Sequence, residues 1–291
     1  MINFAPLMLR VRLIAFTILS ISLLVFSGCE YDKLLKSDDF DNKYSKAKEY
    51  YAEGDYARAL PLLDQLLSVK LGTVDEKEVR YYMAYCYYGQ EDFFSASSLF
   101  RQVFNLFPLS GEAEECLFMS AKSMYQASPR YQLDQEYTYK AIDAFQYFVD
   151  VYAKSSLVPE ANGYMDELRA KLEEKLIAAA ELYYNTEHYE AAAITYENVL
   201  NDFPDTRLAE EISYKIISCY FSYAGQSIVC RKEERYDKAI SSYQDFISRY
   251  PTSDRADQAK SLYERSVDLK SKAINEISTF KINCNELTQK D

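Results

Sequence analysis

One helical pattern recurs five times along this 291-residue chain. In each copy an alanine is followed four residues later by a large apolar side chain, and seven residues later by another. This spacing places the three side chains on one face of an α-helix. Successive copies lie more than 34 residues apart, which is typical of stacked helical units with extended helices or loops. The five alanines are Ala59, Ala96, Ala141, Ala192 and Ala239.

A second helical segment precedes each copy and also carries a small residue, which allows two antiparallel helices to approach closely. These small residues are Ala47, Ala84, Ala121, Ala180 and Ser218. The paired pattern resembles the tetratricopeptide repeat. It predicts an all-α fold, a superhelix of about five helix-turn-helix repeats followed by a C-terminal capping helix. Only 7 Gly and 7 Pro occur, which argues against all-β folds and glycine-rich phosphate loops.

We predict that residues 41–153 hold the first three repeats and that residues 154–279 hold the last two with the capping helix. Residues 280–291 would form a tail that frays. Two units carry extra sequence, at residues 125–140 and 220–238.

The N-terminal residues have the composition of a secretion signal. Arg10 and Arg12 precede 14 mostly apolar residues at 13–26, a run that is short for a helix crossing a bilayer of about 30 Å. The run ends in Phe-Ser-Gly-Cys, which resembles the lipobox of bacterial lipoproteins, although Leu usually stands where this chain has Phe26. The resemblance implies cleavage after residue 28 and a lipid on Cys29, with residues 29–40 as a polar tether. A plain signal peptide with a chance cysteine, or an N-terminal anchor helix, is the alternative.

The remaining cysteines are odd in number and irregularly spaced. An exported chain meets an oxidising compartment, where pairs can form. If one continuous helix carried Cys219 and Cys230, about 16 Å would separate them, beyond disulfide reach. We therefore expect mostly free, buried thiols at Cys86, Cys116, Cys219, Cys230 and Cys284.

The charge and residue types give no sign of enzymatic or metal chemistry. The formal net charge of −12 disfavours binding to nucleic acid. The single histidine, His188, has no nucleophile motif around it, and one histidine nearly excludes a histidine-based zinc site. Acidic pairs such as Glu114–Glu115 stand near predicted helix starts, where they favour the helix macrodipole. We predict a non-enzyme without a metal or cofactor, apart from covalent lipid on Cys29.

Tyrosine is abundant, with 28 residues, and several tyrosines stand in adjacent pairs. Neighbours on a helix point 100° apart, so one ring of each pair faces a groove or solvent. A tyrosine offers a large contact area and a polar hydroxyl, which suits peptide recognition. Exposed aromatic side chains without a binding role are the alternative. The pairs are Tyr50–Tyr51, Tyr81–Tyr82, Tyr87–Tyr88 and Tyr183–Tyr184.

The order of these features resembles the BamD family, lipoproteins of the β-barrel assembly machinery, and especially its Bacteroidetes members. The segments that carry the resemblance are 31–60, 80–93 and 128–142, the last with the sequence SPRYQLDQ at its start. The resemblance implies a lipid-anchored protein on the periplasmic side of the outer membrane. Its partners would be the POTRA domains of a BamA-like barrel protein and unfolded outer-membrane barrel proteins.

The resemblance also implies two sites. The N-terminal repeats would form a peptide-binding groove, which we assign to Tyr50, Tyr81, Tyr85, Tyr88 and Tyr125. The C-terminal repeats would dock on the barrel component near the capping helix and near Arg231, Arg235 and Tyr236.

Other exported repeat proteins remain as alternatives. A tetratricopeptide scaffold that coordinates peptidoglycan synthesis usually carries an N-terminal coiled coil, and no heptads precede residue 44. A SusD-like glycan-binding lipoprotein is longer and usually uses tryptophans, which this chain lacks. A hydrolase hidden in the two insertions would need a nucleophile motif, and we find none.

Overall fold

The computed structural model describes residues 30–73 and 75–284. The predicted signal sequence, Cys29 and the last seven residues lie outside this range. Within it the chain is helical, without a β-strand. The helices are α1 (Phe40–Ala52), α2 (Tyr56–Lys70), α3 (Glu76–Gly89), α4 (Phe93–Leu106), α5 (Ala113–Ala127), α6 (Glu136–Val151), α7 (Val158–Asn185), α8 (Tyr189–Asp202), α9 (Ala209–Gly225), α10 (Val229–Arg249) and α11 (Ala256–Phe280).

The helices follow one another as five pairs, α1–α2 to α9–α10, with α11 at the end, which confirms the predicted fold class. The five repeat alanines of the second helices are fully buried, as are Ala47, Ala84, Ala121 and Ala180 of the first helices. Ser218, the fifth small residue, is only half-buried. These small side chains bring the two helices of each pair together, and the large apolar side chains one turn away fill the space beside them.

The turn between the two helices of a pair repeats its backbone geometry. Gly54 has a φ of 76°, and Glu91 and Glu187 stand at the equivalent places with φ values of 62° and 63°. The next residue caps the following helix in two of these turns. Asp55 accepts a hydrogen bond from the backbone N–H of Arg58, and Asp92 accepts one from that of Ser95.

The chain divides into two compact units. The first contains the described residues up to Pro129 together with Gln135–Leu168, and the second contains Arg130–Asp134 with the described residues from Arg169 on. The boundary falls inside α7, so the first unit includes the beginning of that helix. Each unit has its own buried clusters. The largest cluster of the first unit surrounds Phe118, Phe145 and Phe148, and that of the second surrounds Tyr196 and Tyr220.

The segment after Cys29 differs from the predicted tether. Residues 30–36 are helical, and Tyr31 packs with two leucines against the first repeat. The Tyr31 hydroxyl donates to the carbonyl of Arg58 at 2.9 Å. The ammonium of Lys43, which is buried in α1, donates to the carbonyl of Leu35 at 3.1 Å and to Gln65 Oε1 at 2.6 Å. Residues 30–36 are therefore held on the first repeat by their apolar side chains and by the Lys43 ammonium, which caps the C-terminal end of this short helix.

The cysteines are partly as expected. Cys86, Cys116 and Cys219 are buried free thiols. Cys230 and Cys284, however, form a disulfide, so the expectation of free thiols is wrong for this pair. The bond joins the first turn of α10 to the segment that follows α11. The two partners are 54 residues apart in sequence, and only the packing of α11 on α10 brings them together.

Candidate functional site

Two tyrosines of α3 share one carboxylate on α5. Tyr81 and Tyr85 are one helical turn apart, and their ring centroids are 5.0 Å from each other. The Tyr81 hydroxyl lies 3.2 Å from both carboxylate oxygens of Glu115. The Tyr85 hydroxyl also donates to Glu115 Oε1. This carboxylate therefore links the first helices of the second and third repeats.

Two further rings extend the group toward α1. Tyr51 lies 4.9 Å from Tyr82 and 6.4 Å from Tyr85, measured between ring centroids. Tyr82 lies 5.9 Å from Tyr81 in an edge-to-face arrangement. We call Tyr51, Tyr81, Tyr82, Tyr85 and Glu115 the tyrosine cluster. All five side chains are half-buried, so each keeps part of its surface available for a ligand.

Electrostatics keeps the hydroxyls of the cluster as donors. Burial and the neighbouring Glu115 carboxylate raise the pKa of Tyr81 above its usual value of 10.0. Burial and the hydrogen bond to Glu115 do the same for the pKa of Tyr85. Both phenols therefore stay protonated at neutral pH. A protonated phenol donates to the carboxylate and leaves its negative charge in place.

The other three tyrosines predicted for the groove make different side-chain contacts. Tyr125 donates to Glu167 at 2.5 Å, and this hydrogen bond together with burial raises the pKa of Tyr125 to about 12. Tyr50 packs against Tyr31, and the Arg58 guanidinium lies 4.4 Å from its ring. Tyr88 packs on Phe93, which opens the next helix. The structure brings Tyr81 and Tyr85 together, and Tyr88 packs with them against the same buried cluster. Tyr50 and Tyr125 contact other residues.

The sequence interpretation did not select Tyr51, Tyr82 or Glu115. The adjacent pairs Tyr50–Tyr51 and Tyr81–Tyr82 were a usable signal, because they require rings on two helix faces. Which ring of each pair meets a neighbouring helix depends on packing. Glu115 stands in the first turn of α5, as the macrodipole interpretation requires, and in addition it accepts the phenol hydrogen bonds.

The predicted docking residues occupy the beginning of α10. Tyr236 is 2% exposed and packs near Phe221, so it belongs to the core. Its side chain is therefore not available to contact a partner protein, contrary to the prediction. Arg235 donates to Ser227 Oγ at 2.6 Å, and its guanidinium lies 4.0 Å from the ring of Tyr223. Arg231 forms an ion pair with Glu234 at 3.6 Å. Both arginines keep part of their surface exposed.

The residue types considered in the sequence analysis for metal and catalytic chemistry can be located in the part of the chain that the structure describes. No group of three or more His, Cys, Asp or Glu residues there is placed to hold a metal ion. His188 is exposed at the turn before α8, and its Nδ1 lies 3.1 Å from Thr186 Oγ1. Among the described helices, none is both long and apolar enough to span a bilayer.

Two curated relatives resemble this chain over most of its repeats. An outer membrane protein assembly factor BamD of Aquifex aeolicus is 26% identical over 176 residues, which are 60% of this chain and 58% of the relative. The BamD of Pasteurella multocida is 22% identical over 210 residues, 69% of this chain and 81% of that protein. The chain therefore spans somewhat more than half of the first relative and most of the second.

Repeat proteins of other kinds also match. The DnaJ homolog subfamily C member 3 of Gallus gallus is 25% identical over 62% of this chain and 33% of that protein. Among solved structures, the tetratricopeptide domain of P58(IPK) aligns with a TM-score of 0.39 and 17% identity, covering 83% of this chain and 68% of that structure.

Family models identify the chain more directly. A tetratricopeptide repeat family matches residues 214–253, which include α10 and most of α9. The YfiO family, described as outer membrane lipoprotein, matches residues 37–222. This second match begins just before α1, ends inside α9 and covers well over half of the sequence. The chain therefore belongs to the YfiO family of outer membrane lipoproteins, among whose relatives are the proteins named BamD.

Proposed function

We propose that this protein is the lipid-anchored repeat component of a β-barrel assembly complex at the outer membrane. The observation that carries the proposal is the YfiO family match over residues 37–222. In this role the protein binds the POTRA domains of a BamA-like barrel protein and receives unfolded barrel proteins before their insertion. The lipid on Cys29 holds the first repeat at the periplasmic face of the membrane.

We assign the reception of unfolded segments to the tyrosine cluster. Four tyrosine rings provide large aromatic contact area, and their partly exposed edges and hydroxyls suit an extended chain that has both apolar and polar side chains. The first helices of successive repeats supply these rings, and such helices line the binding surface of many repeat proteins. Docking of the barrel partner is assigned to Arg231, Arg235 and the surface of α11.

A peptide-binding measurement tests the assignment to the cluster. A fluorescent peptide with the C-terminal sequence of an outer-membrane barrel protein is titrated with the full lipidated protein in detergent. The double variant Tyr81→Ala/Tyr85→Ala is expected to bind about ten times more weakly, because two aromatic contacts are lost. The matched control is Tyr139→Ala, which removes a tyrosine of the first unit that is 58% exposed and outside the cluster. Equal affinities of the double variant and the wild type would contradict the assignment.

A pull-down from native membranes tests the complex itself. Tagged protein, extracted in mild detergent, is expected to recover a POTRA-containing barrel protein in stoichiometric amount. The charge-reversal variant Arg231→Glu/Arg235→Glu is expected to recover less of it, whereas Lys140→Glu on α6, which lies outside the proposed docking surface and has a half-exposed side chain, serves as the charge-reversal control. Recovery of peptidoglycan synthases in place of the barrel protein would support the alternative scaffold function.

A further inference from the structure

Glu115 differs from two nearby carboxylates that are paired with a cation. Glu112, one turn earlier in the chain, pairs with Lys77 at 2.7 Å, and Glu76 pairs with Arg80 at 2.8 Å. Within the described residues, no Lys or Arg forms an ion pair with Glu115, which accepts phenol hydrogen bonds from Tyr81 and Tyr85. A carboxylate has about four lone-pair positions. Among the described residues Glu115 therefore has no cation paired with it, and it keeps acceptor capacity beside four aromatic rings.

Three tyrosine–glutamate pairs elsewhere in the chain have a cation beside them, although among the described residues no cation lies over the ring of a further pair, Tyr125–Glu167. Tyr223 donates to Glu190 at 2.6 Å, and the Arg235 guanidinium lies 4.0 Å from the Tyr223 ring. Tyr220 donates to Glu197 at 2.8 Å, and the ammonium of Lys238 lies 5.4 Å from the Tyr220 ring. Lys238 also pairs with Glu190 at 3.5 Å. Both rings therefore have a cation beside them, as the negative face of an aromatic ring favours.

A third pair has the same composition. Tyr164 donates to Glu160 at 3.0 Å, and Lys122 lies 5.4 Å from the Tyr164 ring while pairing with Glu160 at 3.2 Å. The cation is supplied by the chain itself in all three cases. In the tyrosine cluster, by contrast, no cation of the described residues lies over any of the four rings.

We propose that the tyrosine cluster binds the cationic side chain of an arginine or lysine in an unfolded polypeptide. The cation would lie against the partly exposed rings and donate hydrogen bonds to Glu115, as Lys122 contacts both the Tyr164 ring and the Glu160 carboxylate. This inference rests on the proposed function, because it takes an unfolded polypeptide as the ligand. It adds that the cluster selects segments by positive charge as well as by aromatic or apolar character.

Two synthetic peptides that differ in a single charge provide the test. Each has alternating Tyr or Phe and Ser residues around one central position, which is arginine in the first peptide and citrulline in the second. Citrulline has nearly the shape of arginine without its charge. Fluorescence anisotropy with the full lipidated protein in detergent is expected to show about tenfold tighter binding of the arginine peptide, as for a hydrogen bond to a charged group.

Variants locate the preference. Glu115→Gln keeps an amide oxygen as an acceptor for the phenols and removes the charge, so it is expected to abolish the difference between the two peptides. Glu197→Gln is the matched control. It alters a tyrosine–glutamate pair that already has Lys238 beside it, and it should leave the preference unchanged. Circular dichroism melting curves confirm that each variant is folded.

The outcomes separate this inference from the proposed function. Equal binding of both peptides to the wild type overturns the inference and leaves the peptide-binding role intact. This outcome can be observed without any variant. A preference that survives in a folded Glu115→Gln protein also overturns it, because the charge is then recognised elsewhere. If neither peptide binds, the assignment of unfolded segments to the cluster fails as well.

Discussion

At the scale of single residues, Gly89 is the described glycine at which a neighbouring helix leaves the least room for a side chain. This residue ends α3, and a Cβ added there would lie 2.0 Å from Cε2 of the Tyr56 ring. The ring of Tyr56 is half-buried at the start of α2, so it can move only by giving up part of its packing. Gly163, inside α7, has no atom within 4 Å of an added Cβ. The two glycines therefore have opposite tolerance for a methyl group.

Alanine at these two positions is expected to change stability in opposite directions. Gly89→Ala should destabilise the protein by about 1–3 kcal/mol, because overpacking forces the Tyr56 ring out of its site. Gly163→Ala should stabilise it by up to about 1 kcal/mol, because alanine is a better helix former than glycine. Urea unfolding followed by circular dichroism measures both changes. A neutral or stabilising Gly89→Ala variant would show that the Tyr56 ring has room to move.

The composition of the tyrosine cluster illustrates what residue-level patterns can predict. The sequence correctly indicated that adjacent tyrosines expose rings on two faces, and Tyr81 and Tyr85 lie together as their one-turn spacing allows. It did not indicate that Tyr51, rather than Tyr50, would approach α3. The rotation of α1 about its axis decides this, and that rotation is fixed by packing against α2 and α3.

At the scale of elements, the disulfide joins the beginning of α10 to the segment that follows α11. The sequence analysis did not predict a covalent link between these two parts of the chain. Extra sequence at 220–238 was expected to enlarge a unit. In the structure it continues α9 to Gly225 and starts α10 at Val229, which places Cys230 in the first turn of α10. Cys219 and Cys230 are therefore on different helices, and the continuous helix considered in the sequence argument does not exist. Cys284 reaches Cys230 because α11 packs on α10.

Removing this disulfide is expected to destabilise the second unit. Cys230→Ser/Cys284→Ser should lower its free energy of unfolding by about 2–4 kcal/mol, since the cross-link restricts the unfolded chain over a long loop. A reducing agent should have the same effect on the wild type and none on the variant, and urea unfolding measures both.

Thiol labelling provides an independent check of the same bond. Burial raises the pKa of the Cys86, Cys116 and Cys219 thiols to about 12, so the folded protein should react slowly at neutral pH. In the unfolded, unreduced protein these three cysteines should be alkylated, and Cys230 and Cys284 only after reduction. Alkylation of either residue without reduction would contradict the pairing.

At the scale of the whole molecule, the repeats form two units whose buried clusters are separate. Phe145 is fully buried in the first unit among Phe118 and Tyr164. Phe246 is 1% exposed in the second unit and packs near Tyr250. Phe145 occupies the first large apolar position of its repeat, four residues after Ala141, and Phe246 the second, seven residues after Ala239. The two are side chains of the same type that are buried to the same extent, which makes their truncations comparable.

Truncation of either side chain is expected to act mainly within its own unit. Phe145→Ala and Phe246→Ala should each cost about 3–5 kcal/mol, the usual penalty for emptying a large buried site. In hydrogen exchange, Phe145→Ala should reduce protection in α5 and α6, and Phe246→Ala in α9, α10 and α11. Equal loss of protection across both units in either variant would show that the chain unfolds as a single cooperative body.

The class of fold and the pairing of helices follow from local patterns in the amino-acid sequence. The spacing of small and large residues repeats every turn or two, and such local periodicity fixes which helix faces are buried. Neighbouring helices in the chain then pack on each other, so the order of the pairs also follows from local information.

Contacts between residues far apart in sequence depend instead on how the helices pack. Tyr81 and Tyr85 lie about thirty positions from Glu115 in the sequence. The two cysteines of the disulfide are 54 residues apart. Tyr236 lies in the core beside Phe221, which belongs to another helix. The docking of residues 30–36 follows from Lys43 and Gln65. In each case one side chain lies against another because of the angle and rotation at which two helices pack. No short sequence pattern encodes that angle or rotation.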